Sequence, residues 1–164
     1  MAGYILGIDP GFSGSLAVYN PVNHTLISVI DMPLLPKVKD KKTLIDTHAL
    51  ADWIASHSLN LSHAVLEAVG SMPGQSSSST FRFGQGFGII QGILGAHKIP
   101  IKLIHPSVWK TVLGLSQDKQ KSLTLAVKLF PSDALLFSRK KDDGRAEAAL
   151  LAYLGGMMKK TGVI

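Results

Sequence analysis

The chain has 164 residues, 46% hydrophobic and 17% charged, which suits one folded domain with a sizeable core and not a disordered chain. It contains no cysteine, which excludes disulfide staples and thiolate zinc sites and makes the cytoplasm the natural compartment, and no apolar run reaches the length of a membrane span. The formal net charge of +6 favours a polyanionic partner, because lysines gain affinity by releasing counterions from phosphates.

Tyr4 to Ile8 and Ser15 to Tyr19 are runs rich in apolar side chains, separated by Asp-Pro-Gly-Phe-Ser-Gly. That pattern predicts a β-hairpin with a longer loop, and Thr25 to Ile30 adds a third strand to the meander. "PLLPKVKDKKT" is a polar loop or flap. Asp46 to His57 carries Leu50, Trp53 and Ile54 at helical spacing, with Asp46 or Thr47 as N-cap. "HAVLEAV" predicts a short buried strand interrupted by Glu67.

A flexible loop follows, and then a helix from about Ser79 to His97 loaded with Gly84, Gly86, Gly88, Gly92 and Gly95. Interior helix glycines cost roughly 1 kcal/mol each, so this many need a reason. Gly84, Gly88 and Gly92 share one face, which suits either tight packing on the domain's own sheet or a dimer interface. "IPIKLIH" is a further strand and "PSVWKTVLG" a helix with proline in its first turn. "SQDKQKSLTLAVKLFP" is an amphipathic helix ending at Pro131, and "KKDDGRAEAALLAYLGGMMKK" is a last helix with Ala148, Leu151, Ala152 and Leu154 on its apolar face. There are no internal repeats and no linker, so residues 1–164 form a single domain. The order of elements predicts an α/β fold, a five-stranded mixed sheet with helices on both faces. Basic residues cluster at Lys37 to Lys42, Lys119 to Lys128, Arg139 to Lys141 and Lys159-Lys160, each of which is by itself an ordinary solvated face.

Acidic residues number eleven, and a few stand in apolar contexts. Asp9 ends the first strand, where it either caps the Pro10-Gly11 turn through its own backbone or needs a cation to offset its desolvation. Glu67 ends the fourth strand. Asp142, Asp143 and Glu147 begin the last helix, where Asp143 and Glu147, four apart, share a face. Glu147 has no basic partner one turn on, since Leu150 and Leu151 stand there. If the first and fourth strands are neighbours, these acids converge. An all-oxygen cluster cannot stay ionised without cations, and Mg²⁺ is the matching hard ion. Two such ions serve phosphodiester hydrolysis by activating water and stabilising the leaving oxygen.

The set "GIDPGFSGS", "LEAVGSMPGQSSSSTFRFGQGFGIIQGIL", "HPSVWKTVLGLSQDKQKS" and "KKDDGRAEAALLAYLG" resembles the RuvC-type Holliday junction resolvases, in particular their compact bacteriophage relatives, over about residues 4 to 155. The resemblance implies a ribonuclease-H-like fold, a homodimer, and Mg²⁺- or Mn²⁺-dependent, symmetric paired nicking of four-way DNA junctions. It places the metal-binding and catalytic acids on Asp9, Glu67, Glu147 and either Asp143 or Asp142, with helical geometry favouring Asp143. It places the basic residues on Lys110 and Lys119, which would contact the scissile phosphate. The chain departs from the family pattern twice. Acid–x–x–acid spacing would put Gly144 where the third carboxylate belongs, and Gly70 stands where the cellular enzymes carry a junction-intruding aromatic. Met72, or Phe81 with Phe83, are the alternatives for that wedge, or else core or dimer contacts.

The first loop also resembles the phosphate loop of actin- and sugar-kinase-type enzymes, but those need two such domains around the nucleotide. A nuclease of other specificity on the same fold, acting on flaps or other branched DNA, and a non-catalytic junction-binding module are the remaining alternatives. The intact acids argue against the module.

Overall fold

The computed structural model describes residues 3–39, 41–71, 73–116 and 118–160, with residues 159 and 160 in backbone only. Three antiparallel strands come first: β1 (Tyr4–Asp9), β2 (Ser15–Asn20) and β3 (Thr25–Asp31). Helix α1 (Thr47–Ser58) leads to β4 (Leu61–Glu67), and α2 (Ser77–Ala96) leads to β5 (Ile101–Ile104). Helices α3 (Pro106–Val112), α4 (Lys119–Leu129) and α5 (Asp143–Lys160) complete the chain, with 3₁₀ turns over Pro131–Phe137 and Lys140–Asp142.

The strands form a five-stranded sheet in the order β3-β2-β1-β4-β5. β1 is antiparallel to β2 and parallel to β4, and β5 is parallel to β4. This is the mixed sheet the sequence predicts, and the first and fourth strands are neighbours, which is the condition for the acids to converge.

Alternation along the strands divides the core in two. Ile5, Ala17, Tyr19 and Val65 pack with Trp109, Leu123, Ala126 and the α5 residues Ala148, Leu151 and Ala152. Leu6, Ile8, Leu16, Val18, Ala64 and Leu66 point the other way, against Leu50 and Ile54 of α1 and Ile90 and Leu94 of α2. Strand side chains alternate with period two. Asp9 therefore lies on the face of Ile5, and Glu67 on the face of Val65. Both point to the α5 side.

Helix α5 reaches the sheet because Gly7 has no side chain: a Cβ there would stand 2.0 Å from the Ala148 carbonyl oxygen and 2.4 Å from the Ala152 nitrogen. No rearrangement short of moving the helix would admit a larger residue.

The flap is closed at its base, where Leu34 bridges Ile45 and the Leu35 amide donates to Leu44 O at 2.9 Å. Lys42 Nζ donates to Ser78 Oγ and ties the flap to the start of α2. The glycine stripe of α2 does not pack on the sheet. The buried face carries Gly86, Ile90 and Leu94, whereas a Cβ at Gly84, Gly88 or Gly92 would meet nothing within 4 Å. Of the two readings of that stripe, packing against the domain's own sheet is thereby corrected.

Candidate active site

Four carboxylates come to one end of the sheet from three elements. The β1–β4 register pairs Ile8 with Leu66, so Asp9 and Glu67 are the next residues along neighbouring parallel strands. The N-terminal turns of α5 lie above them and bring Asp143 and Glu147.

Asp9 accepts a 3.3 Å hydrogen bond from the Gly11 amide, the turn-capping bond its position before Pro-Gly suggests. That one long bond does not compensate its surroundings. Burial, followed by repulsion from Glu67 and Glu147, pushes the Asp9 carboxyl up to about 7. Burial also raises the Glu67 carboxyl, opposed by a hydrogen bond from the Trp109 indole, Nε1 to Oε2, at 2.7 Å.

Glu147 is 8% exposed. Lys110 Nζ lies 3.0 Å from its Oε1, yet the contact lacks hydrogen-bond geometry, and Oε1 remains a buried acceptor with no hydrogen bond. Lys119, at the first turn of α4, donates to Asp143 Oδ2. The two predicted lysines thus each hold one acid of the cluster.

Asp142 goes elsewhere. It is buried, accepts from the Arg139 amide at 2.9 Å and from Arg139 Nη2 at 2.7 Å, and caps the 3₁₀ turn before α5. The Arg139 guanidinium holds its carboxyl below the usual aspartate range. Arg145 adds a second clasp, bonding both Asp31 oxygens at 2.7 Å. Between the two adjacent aspartates, Asp143 joins the cluster and Asp142 anchors the helix entry.

The departure at Gly144 has a steric cause. A Cβ there would lie 2.6 Å from Ser13 O and 3.1 Å from Gly14 Cα, so the β1–β2 turn leaves no room for a carboxylate at that position. Of the wedge candidates, Phe81 and Phe83 both stand on α2. Phe81 is 72% exposed on the first turns of α2, Phe83 is half-buried, and Met72 lies outside the described residues. Gly70 is exposed with nothing within 4 Å of its Cβ position.

Trp109 is the site residue that sequence reasoning missed. Its signal was present: a fully buried tryptophan needs an acceptor for its N–H, and it immediately precedes Lys110.

The fit to a divalent cation rests on donor chemistry. The cluster offers hard carboxylate oxygens, one of them a buried acceptor without a hydrogen bond, and holds an aspartate whose charge is not offset. Among the described residues no three His, Asp or Glu side chains stand close enough to hold one ion as they are; the lysines and Trp109 engage three of the acids instead. No helix among the described residues is long and apolar enough to cross a membrane.

No family model matches the sequence, and no curated protein does. Solved structures do match the fold. Thermus thermophilus RuvC in complex with a Holliday junction substrate aligns with a TM-score of 0.64 at 13% identity, over 99% of this chain and 98% of that one. A second Thermus thermophilus RuvC structure gives 0.61 at 13% identity, over 98% and 97%. The fowlpox virus Holliday junction resolvase gives 0.52 at 14% identity, over 96% and 99%. The likeness spans nearly the whole of every chain compared, and it falls on the family that the sequence motifs resemble. This chain has the fold of the RuvC-type Holliday junction resolvases.

Proposed function

We propose that the protein is a metal-dependent, structure-selective endonuclease that resolves four-way DNA junctions by symmetric paired nicking. The observation that carries this reading is the meeting of Asp9 and Glu67, on adjacent strands, with Asp143 and Glu147 of α5, each of the latter touched by a lysine. Asp9, Glu67, Glu147 and Asp143 would hold Mg²⁺, with Mn²⁺ as a substitute. When bound, the metal supplies an activated water and charge stabilisation for the leaving oxygen.

The chain's own residues supply the rest. Lys110 and Lys119 sit where an incoming phosphate would compete for them, and they offset the charge that grows on it during hydrolysis. The flap lysines Lys37, Lys39, Lys41 and Lys42 and the run Arg139 to Lys141 are exposed and hold the DNA backbone. Symmetric cutting requires two sites, so the protein acts as a homodimer. The bare Gly84–Gly88–Gly92 face of α2 supports this reading, because a second helix can approach its backbone closely.

Cleavage of a synthetic mobile four-way junction, beside matched duplex, a flap and an RNA–DNA hybrid, tests the proposal. Paired nicks confined to the junction, present with Mg²⁺ and absent with EDTA, are the expected result. Cutting of the flap or hybrid alone would keep the chemistry and replace the substrate. Binding without any cutting would leave a junction-binding module.

A further inference from the structure

We infer that Trp109 is a positioning residue for cation binding: its indole holds the Glu67 carboxylate in place at the end of β4. The inference rests on the reading that the acid cluster holds a divalent cation. Trp109 is 0% exposed, locked in the core that also contains Val65, Ile104 and Leu123. Its Nε1 donates to Glu67 Oε2 at 2.7 Å, the one hydrogen bond to the Glu67 side chain among the described residues. A hydrogen bond to an ionised carboxylate is among the stronger ones. Glutamate has a long, rotatable side chain, and anchoring one oxygen to an immobile ring removes most of its freedom while leaving the other oxygen for a ligand.

The next residue of the same helix does the complementary task. Lys110 Nζ lies 5.2 Å from the centre of the Trp109 ring and 3.0 Å from Glu147 Oε1. One dipeptide on α3 therefore touches an acid of β4 with its tryptophan and an acid of α5 with its lysine. A buried tryptophan needs some acceptor for its N–H, and here that acceptor is a carboxylate of the cluster on another element. Partners of this kind orient metal ligands, and their loss typically weakens metal affinity by roughly 10–100-fold.

The test titrates Mn²⁺ alone into the full chain by calorimetry, comparing wild type, Trp109→Phe, Glu67→Gln and Leu123→Ala. Leu123→Ala opens a cavity in the same core without touching Glu67. Trp109→Phe is expected to weaken Mn²⁺ binding roughly 10–100-fold, with Leu123→Ala unchanged. Wild-type affinity in Trp109→Phe overturns the inference, and so does equal weakening in Leu123→Ala, because core loosening would then suffice. Wild type and Glu67→Gln binding Mn²⁺ equally, or neither binding it, would instead remove the cation reading beneath it. A measurement that needs no tryptophan variant of the site runs in parallel. The Trp109 indole N–H resonance, assigned with Trp53→Phe, is expected to shift in Glu67→Gln and to stay protected from exchange in Mg²⁺-saturated wild type. An unshifted resonance, or loss of protection on adding Mg²⁺, overturns the inference.

Discussion

Asp9 and Glu67 stand side by side, each one residue past the Ile8–Leu66 pair of two parallel strands, and the Glu67 charge is the largest electrostatic contribution, after burial, that raises Asp9 to about 7. The native state therefore keeps a proton on Asp9 that the unfolded chain releases near 4. Between those values the native state binds more protons, so stability falls as pH rises from about 4 to about 7. At roughly 1.4 kcal/mol per pH unit, the metal-free protein is expected to lose on the order of 2–4 kcal/mol across that window. Asparagine at position 9 does not titrate, so Asp9→Asn flattens this part of the profile. Urea unfolding at pH 5 and pH 8 in EDTA checks it, and an identical pH dependence in both proteins would sink the idea.

The neighbouring aspartates of the α5 entry separate cleanly by assay. Asp143→Asn is expected to abolish junction cleavage while folding and DNA binding persist. Asp142→Asn is expected to keep cleavage per folded molecule and to lose roughly 1–3 kcal/mol of stability, the scale for a buried hydrogen-bonded charge that loses its partners. Because the Asp142 carboxyl is held below its ordinary range, its contribution is present above that range and is lost as pH falls through the depressed value. Denaturant midpoints at pH 7 and pH 3, beside nicking assays, decide between the roles.

The two lysines are expected to act alike in the chemistry. Lys119→Ala and Lys110→Ala are each expected to slow cleavage by about 10²–10³-fold, the cost of removing a donor aimed at developing charge. If Lys119 also grips a phosphate in the bound state, Lys119→Ala lowers the slope of log affinity against log salt by about 1. A full cleavage rate in either variant would remove that lysine from the chemistry.

Glycines give opposite signs at two places. Gly7→Ala would place a Cβ 2.0 Å from the Ala148 carbonyl oxygen and is expected to prevent α5 from seating. Gly88→Ala meets open space within the single chain and should gain the monomer roughly 1 kcal/mol of helix propensity. Gly88→Leu, which is bulkier, is expected to leave the chain folded and to convert a dimer to a monomer in sedimentation. A variant that remains dimeric would move the interface off this face.

The five strands and the acids that stand at their ends were legible because apolar runs between turn formers and a scarcity of acids leave few choices. The strand order that brings Asp9 beside Glu67 enters the sequence reading only as a condition. The α2 stripe was not legible. Spacing places Gly84, Gly88 and Gly92 on one face, but only the position of Gly86 against Ile45 shows that the packed face is a different one. Gly144 was visible as a departure, yet its cause, the backbone of Ser13 and Gly14, is a contact across more than a hundred residues that no local pattern carries. Trp109 escaped for a similar reason: it stands on α3, while its acceptor ends strand β4.

The order of the acids along the chain has a consequence for synthesis. Asp9 and Glu67 belong to the first half of the chain, whereas Asp143 and Glu147 arrive with the last helix, which packs back onto β1 and β2. Contacts of such long sequence separation carry a loop-closure cost, and these cannot form before the last helix has been synthesised. On the proposed function, a nascent chain that lacks α5 holds only Asp9 and Glu67 of the four acids, so an unfinished copy would have no complete site with which to cut nucleic acid.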